Sequence, residues 1–371
     1  MNRNIKLLQG AFSIPGEYLG GVPYGSGHIN DTFAATYNQE GTRIRYIHQR
    51  INNQVFKDVP ALMDNVHRVI AFNQEHLRKL GVEDCSRRCL TLLPAKDGLP
   101  YYVDDEGGFW RTYLFIENAS TYDRLESPQQ AREAAKAFGQ FQRLLSDYDG
   151  PRLHETIPGF HDTPGRYRKF HNALESDQLN RAAGVKEEID WFLARERDCG
   201  IVVDGLASGE IPERITHNDT KLNNVMLDDT SMEGICVIDL DTVMPGSVLY
   251  DFGDMVRSST NTGDEDAVDL SAIQMDFEVY QALLDGYLPE MKHCLTDREL
   301  ELLAFSGRLI TLEIGLRFLT DYLEGDQYFK VFREGHNLDR CRTQITMVKS
   351  MEEQQLKMEK AISREVKKCE F

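Results

Sequence analysis

Long hydrophobic runs, paired cysteines, internal repeats and net positive charge are all missing from this chain of 371 residues. No uninterrupted apolar stretch approaches the ~20 residues that a bilayer-spanning helix needs, so a membrane is not an expected partner. The segment MNRNIKLLQGAFSIPGEY lacks the long apolar core of a signal peptide, and export is not expected. The seven cysteines are odd in number and scattered, with no CxxC pair. Cys85 and Cys89 stand four apart, but no second pair or nearby histidine completes a metal set. Reduced thiols in a cytoplasmic protein explain this pattern better than disulfides or zinc. The formal net charge of −18 argues against a nucleic-acid partner, because a non-specific binder needs a basic face. The acidity serves solubility and does not oppose a nucleotide site, where local amides, one or two cations and Mg²⁺ meet the phosphates.

What is present is an ordinary globular composition, 41% hydrophobic and 27% charged, with enough chain for two packed lobes. Residues 1–20 read as a helix broken at Gly20 and Gly21. VPYGSGHINDTFAATY and TRIRYIHQRIN then alternate turn-rich glycines with β-branched and aromatic residues, the pattern of a hairpin and a third strand. PALMDNVHRVIAFNQEHLRKL places Leu62, Val66, Val69 and Ile70 at helical spacing and ends at Gly81, a C-terminal cap. CLTLLPAKDGLPYYVDDEGGFWRTYLFIE turns and alternates like two or three more strands. From Ser127 the pattern becomes helical, with Ser127 and Pro128 in cap and first-turn positions. Further helices are expected near 164–182, 185–207, 272–287, 296–323 and 340–367, the last lying on the surface. Only IPERITHND and GICVIDLD give strong strand signals in this half.

The densest chemistry lies in ITHNDTKLNNVML and ICVIDLDT. His217, Asp219 and Asn224 fall in one short turn, and Asp239 ends a very apolar strand. An aspartate, an asparagine five residues on, then a second aspartate after a hydrophobic run is the order of the polar core in kinase-like phosphotransferases. Phosphoryl transfer to an alcohol needs a carboxylate to align the hydroxyl and take its proton, which points to Asp219. Asn224, favoured over Asn223 by spacing, offers an oxygen suited to a hard cation. A carboxylate at the end of CVID is costly unless a cation or donors meet it, so Asp239 reads as the second magnesium ligand. Asp241 would share its face if the strand continues. It reads as a further ligand or as a residue that orients the site, and equally as a turn residue before Met244–Pro245–Gly246.

Asp251–Phe252–Gly253 spells the protein-kinase metal motif but lies too far from Asn224. Asp251 therefore reads as structural, starting a helix and bonding the backbone of the Asp219 loop. Arg257 beyond it either faces the active cleft or, the preferred reading, forms a solvated salt bridge. In YGSGHIND, Gly25 and Gly27 let backbone N–H groups approach phosphate. Ser26, His28 and Asn30 complete that candidate nucleotide-binding turn, and for His28 and Asn30 a turn-stabilising role is equally compatible. The third-strand lysine of protein kinases is not evident. RYIHQRIN puts Gln49 there, leaving phosphate charge to Mg²⁺, backbone amides and Lys221. The expected fold is α+β and two-lobed, like a protein kinase. Residues 1–117 form a small antiparallel β N-lobe over the nucleotide, and 118–371 a large, mostly helical C-lobe, with a hinge near Ile116–Tyr122.

HNDTKLNN with IDLDTVMPGSVLYDFGD resembles the aminoglycoside phosphotransferase-like superfamily of small-molecule kinases, and within it the N-acetylhexosamine 1-kinases. PYGSGHIN, FHDTPGRY, DGLASGEIP, SGRLIT and GLRFLTDYLEGDQYF look like family segments too, so the similarity covers almost the whole chain. The resemblance implies ATP-dependent phosphorylation of the anomeric hydroxyl of GlcNAc and GalNAc, with ATP and Mg²⁺ as cofactors and a sugar as the small-molecule partner. It makes Asp219 the base near O1, Asn224 and Asp239 the magnesium ligands, and Asp219, Arg317 and Tyr328 the sugar contacts. Ser258 departs from the family, which often carries an apolar aromatic beside the sugar. Alternative acceptors are choline, homoserine, methylthioribose or an aminoglycoside. The missing lysine also raises a catalytically silent nucleotide-binding regulator.

Overall fold

Alternation of period two in the first third of the chain builds a sheet. The computed structural model describes residues 5–25, 27 and 29–369. Glu17–Pro23, Asp31–Gln39 and Thr42–Ile51 form an antiparallel meander, and Phe109–Leu114 adds beside Thr42–Ile51. Leu92–Leu93 and Tyr102–Val103 complete the six-stranded sheet on Phe109–Leu114. Glu40 and Gly41 close the central hairpin with φ of 53° and 91°, the left-handed pair that a tight two-residue turn favours. One face of the sheet packs Phe33, Tyr37, Tyr46 and Trp110 around Leu8 and Phe12.

The helix expected over residues 1–20 is formed only in part and gives way to strand. Only Ile5–Leu7 and Leu8–Ala11 are helical among the described residues, and the first strand already begins at Glu17. The glycine pair makes a bulge rather than a stop, since the register slips between Tyr18 and Gly20. A Cβ at Gly21 would lie 2.2 Å from the Ile5 side chain, so glycine there lets the N-terminal segment pack down.

Val59–Lys79 is capped by Asp58, which accepts from Ala61 N at 3.0 Å. It ends where Gly81 (φ 75°) and Val82 donate to Arg78 O and Leu77 O, the paired bonds of a Schellman motif. Its buried Asn65 donates to His154 O (2.8 Å) and Val243 O (3.1 Å). A second small sheet pairs Ala119–Ser120, Val225–Asp228 and Gly234–Val237. All these elements belong to one unit, made of Met1–Thr121, Asp147–Ile157 and Val225–Met244.

The second unit comprises Tyr122–Ser146, Pro158–Asn224 and Pro245–Phe371 and is mostly helical. Ser127 caps Pro128–Leu145, which packs along Phe277–Met291. That crossing depends on Gly286, where a Cβ would sit 2.1 Å from Arg132 O. Asp297–Glu324 runs through the core, opened by a Thr296/Glu299 capping box and closed by Gly325 at φ 98°. Val248–Ser259 crosses it with Gly253 against Ser306 and Gly307 against Val256. The single helix expected over 185–207 is two, Lys186–Leu193 and Ile201–Ser208, parted by a 3-10 turn at Glu196–Asp198. Arg195 closes the first by donating to Trp191 O while pairing with Glu352. His336–Lys368 is more than a surface helix, because Cys341, Ile345 and Val348 enter the core around Phe192 and Leu316. No helix among the described residues is long and apolar enough to cross a membrane, and the seven cysteines are free.

Candidate active site

The chain leaves the short strand Arg214–Thr216 into the 217–221 loop and a 3-10 turn at Leu222–Asn224. Asn218 sits in this loop at φ 65°, a left-handed backbone that asparagine tolerates better than most residues. The loop is held from behind by buried Asp251. Its carboxylate accepts from His217 N at 2.8 Å, Asn218 N at 2.6 Å and Gln142 Nε2 at 2.5 Å. Gln142 Oε1 in turn accepts from Tyr287 Oη at 2.5 Å, and Thr220 Oγ1 donates to the Asp251 carbonyl. The backbone bonding expected of Asp251 is therefore present. Burial pushes the Asp251 carboxyl above its ordinary pKa despite those donors and the nearby His217.

The His217 ring lies edge-on to Phe138 and Phe141, and its Nδ1 accepts from Asp219 N at 3.3 Å. Pinned in this way, the loop presents the part-buried Asp219 carboxylate to Lys221 Nζ (2.6 Å) and Asn224 Nδ2 (3.0 Å). Asn224 Nδ2 also donates to Asp219 O at 2.8 Å. Burial by itself would raise the Asp219 carboxyl, but the Lys221 charge, His217 and Asn224 outweigh it and hold it below the usual range. Burial likewise opposes the Lys221 charge, and Asp219 overcomes it, so that ammonium is stabilised. Such a carboxylate is a weak base at rest. It suits aligning a hydroxyl and receiving the proton late in transfer.

Asn224 and its neighbour part ways here. Asn223 donates to Asp123 at 3.3 Å, whereas the Asn224 amide nitrogen is committed to Asp219, which makes Oδ1 its metal-facing candidate. Lys221 also lines a cavity of about 510 Å³ with Arg257, Ser258, Asn261, Asp264 and Glu265. Arg257 is not the solvated salt bridge expected. Its side chain is only 8% exposed and pairs with Asp254 at 2.8 Å, one helical turn back, and with Glu265 at 3.2 Å. Ser258 Oγ donates to Asp254 O.

Arg317 and Tyr328 come together: Arg317 Nη2 donates to Tyr328 Oη at 3.3 Å. They line a cavity of about 50 Å³ with Arg166, Lys169, Asp321 and Phe329, whose lining does not include Asp219. As it stands that space holds a few waters and no sugar ring, but Tyr328, its outer wall, is 68% exposed. Burial and the neighbouring Arg166 both press against the Arg317 charge. Asp321 shapes the Tyr328 loop by accepting from the N–H groups of Gln327, Tyr328 and Phe329. FHDTPGRY works as a joint. Asp162 caps Thr163–Ser176, and His161 and Thr163 bond the buried Glu313 of the Asp297–Glu324 helix.

In the other unit the strand Gly234–Val237 stops before the acidic pair. Asp239 is left-handed (φ 58°), and Leu240–Thr242 make a 3-10 turn, so Asp239 and Asp241 do not share a strand face. Of the readings open for Asp241, its side-chain bonds fit a residue that orients the site better than a plain turn residue. It is buried, paired with Arg111, and accepts from Asn30 Nδ2 at 2.7 Å. Arg111 Nε donates to Gln49 Oε1 at 2.9 Å, and Gln49 Nε2 donates to Thr32 Oγ1 at 3.0 Å. Burial disfavours the guanidinium charge, but Asp241 and Asp239 hold its pKa above normal. Sequence reasoning missed Arg111. Its signal was a lone charge inside FWRTYL, an otherwise apolar and aromatic strand where an unpaired cation is untenable. Gly25 has φ 81°, and a Cβ at Gly25 or Gly27 would meet nothing within 4 Å. Asn30 Oδ1 accepts from Asn52 N at 3.0 Å. Ser26 and His28 lie outside the described residues.

The donor chemistry fits Mg²⁺ brought in with a nucleotide. Mg²⁺ characteristically takes one or two protein oxygens and completes its shell with phosphates and water. Asp239 in one unit and Asn224 Oδ1 in the other are each donors of that kind. Among the described residues, no group of three or more His, Cys, Asp or Glu side chains forms a metal cage.

An antiparallel sheet succeeded by a helical unit that carries an aspartate–asparagine loop defines a kinase-like phosphotransferase. Residues 20–289 match the model of the phosphotransferase enzyme family APH, most of the chain, and the protein belongs to that family. Solved structures of similar fold include a microcompartment-associated aminopropanol kinase, with 13% identity, a TM-score of 0.59 and coverage of 95% of this chain and 97% of that one. An aminoglycoside phosphotransferase from Alicyclobacillus acidocaldarius has 12% identity and a TM-score of 0.56, over 93% and 92%. A choline kinase from Cryptosporidium parvum has 14% identity and a TM-score of 0.53, also over 93% and 92%. At these identities the likeness is one of fold.

Proposed function

We propose that this protein transfers the γ-phosphoryl group of ATP to the anomeric hydroxyl of an N-acetylhexosamine, GlcNAc or GalNAc, giving the sugar 1-phosphate. Family membership gives the class, a small-molecule phosphotransferase. The observation that carries the reading is the Asp219 carboxylate, kept ionised by Lys221 and oriented by Asn224 on a loop that Asp251 pins. Asp219 accepts the acceptor hydroxyl's hydrogen bond and then its proton. Asn224 Oδ1 and Asp239 would hold Mg²⁺, which when bound neutralises charge between the β- and γ-phosphates. The backbone at Gly25 and Gly27 approaches the phosphates, and Lys221 adds a cation beside the base. Asn30 and Gln49 act on the nucleotide through Asp241 and Arg111. Arg317 and Tyr328 anchor ring hydroxyls, with Tyr328 swinging outward to admit the sugar.

Charge balance favours a neutral acceptor over an amino alcohol. The cavity beside Lys221 sets Asp123, Asp264 and Glu265 against Arg124, Lys221 and Arg257. Arg124 pairs with Asp264 at 2.9 Å, and Arg257 with Glu265 at 3.2 Å. The Arg317 cavity has Arg166, Lys169 and Arg317 against Asp321. A cationic acceptor, as in a choline or aminopropanol kinase, wants surplus carboxylate or an aromatic cage. The test is coupled ADP detection with Mg·ATP and GlcNAc, GalNAc, glucose, galactose, choline and aminopropanol, followed by NMR of the product. Phosphate on C1 of a hexosamine is the expected result. Turnover confined to an amino alcohol would reject the acceptor assignment. Tight Mg·ATP binding without ADP release from any alcohol would favour a regulator.

A further inference from the structure

The cation that kinases carry on the third strand has a counterpart one strand away. Gln49 stands where the sequence pattern expects that lysine, and its direct cross-strand partner on Phe109–Leu114 is Arg111. The Arg111 side chain is 1% exposed and that of Asp241 is 4% exposed, so this guanidinium is packed away from solvent with its partners already in place. Gln49 Oε1 takes Nε at 2.9 Å, and Asp241 takes Nη1. The second Asp241 oxygen takes Asn30 Nδ2 at 2.7 Å, and Asn30 Oδ1 takes Asn52 N. One buried carboxylate thus ties the end of the glycine turn to the turn that carries Asp239.

We propose that Arg111 is the positioning residue of the metal turn. This rests on the phosphotransferase reading above. Two carboxylates two residues apart in one 3-10 turn repel each other and compete for a cation. Arg111 neutralises Asp241 and removes it from that competition, leaving Asp239 as the carboxylate offered to the metal. The left-handed backbone at Asp239 is then braced on its C-terminal side by Asp241 in the Arg111–Asn30 grip and by Val243 O on Asn65. The planar fork matters as well as the charge, because Gln49 and Asp241 are engaged through different guanidinium nitrogens. Arg111 therefore acts through Asp239 and does not touch phosphate.

The test compares wild type with R111M, R111K, D241N and the R111M/D241N double variant. It uses Mn²⁺ as the spin probe with ADP, steady-state KM values, and urea midpoints to establish folding. Supporting-shell changes commonly weaken metal binding by roughly 10–100-fold. R111M is expected to weaken Mn·ADP binding and raise KM for Mg·ATP by about that factor, with KM for the acceptor within about two-fold. R111K, which restores the charge without the fork, should recover only part of the loss, and the double variant should be no weaker than the weaker single. If R111M does not fold, R111M/D241L, which removes both charges together, is used instead and should show the same weakened Mn·ADP binding. Wild-type Mn·ADP affinity in a folded variant lacking Arg111, or losses that add in the double variant, would overturn the proposal. Failure of the phosphotransferase reading is separable, since weakened Mn·ADP binding in R111M with no phosphorylated alcohol from wild type leaves the positioning role standing.

Discussion

Asp251→Asn is the sharpest probe of how this fold aims its candidate base. The Asp251 carboxylate receives three donors, the backbone N–H groups of His217 and Asn218 and the Gln142 amide. An asparagine of the same shape has one acceptor oxygen, so its NH₂ must confront a donor. Rotating Gln142 offers no escape, because its oxygen already accepts from Tyr287. One buried donor left unpaired costs about 1–3 kcal/mol, and loss of charge assistance on another bond adds about 1. Against this, burial raises the Asp251 carboxyl, so removing the charge recovers part of a desolvation cost. We expect a net loss of about 1–3 kcal/mol, read from urea midpoints at unchanged slope. The kinetic effect should be of similar size to the thermodynamic one. Asp219 is one residue beyond Asn218, and a misplacement of ~1 Å can lower a rate about 10²-fold. D251N should therefore lose kcat while retaining most of its Mg·ATP affinity. A folded D251N with both wild-type midpoint and wild-type kcat would refute the view that this carboxylate pins the loop.

Asp219→Asn should lower kcat by roughly 10²–10⁴ with Mg·ATP binding and the urea midpoint preserved; near wild-type turnover would end the proposed mechanism. Because Lys221 and its neighbours depress the Asp219 carboxyl, no acid limb from this group should appear in kcat above pH 5, and one that vanished in D219N would contradict the geometry. His48 is buried between Tyr37 Oη (3.0 Å) and Thr112 Oγ1 (2.8 Å), and burial lowers its pKa from 6.5 to about 4. The unfolded chain then takes up the proton first as pH falls. Stability should be full above pH 6.5 and drop by roughly 3 kcal/mol on the way to pH 4, a loss that His48→Gln should flatten in urea titrations at pH 7 and 4.5. Gly286→Ala drives a Cβ to within 2.1 Å of the Arg132 carbonyl, so about 1–3 kcal/mol should be lost by overpacking; an unshifted midpoint would mean that the two helices do not meet there as described.

What could be read from sequence was whatever the chain writes locally. The alternation in TRIRYIHQRIN, the Ser127–Pro128 start and the Gly81 stop each depend on a few adjacent residues, and the strand and helices form at those places. The Asp219–Asn224 contact is also local, because five residues of one tight turn bring the two side chains together. Local rules failed where a distant residue chose the outcome. Gly20 and Gly21 look like a helix stop, yet the room at Gly21 is filled by Ile5, and the segment bulges within a strand. The 185–207 helix breaks where Arg195 meets Glu352, 157 residues away. Arg257, solvent-facing by pattern, is buried and pairs with Asp254 and with Glu265, which a later loop supplies. The same division holds for the candidate site. The order of polar residues along the chain determined which chemistry was on offer, since a candidate base, an amide and a carboxylate follow at kinase-like spacing. Only the tertiary structure decided how they are held. Burial makes an ionised group depend on its partner, and for Asp241 that partner is Arg111, 130 positions away, brought opposite Gln49 by strand register.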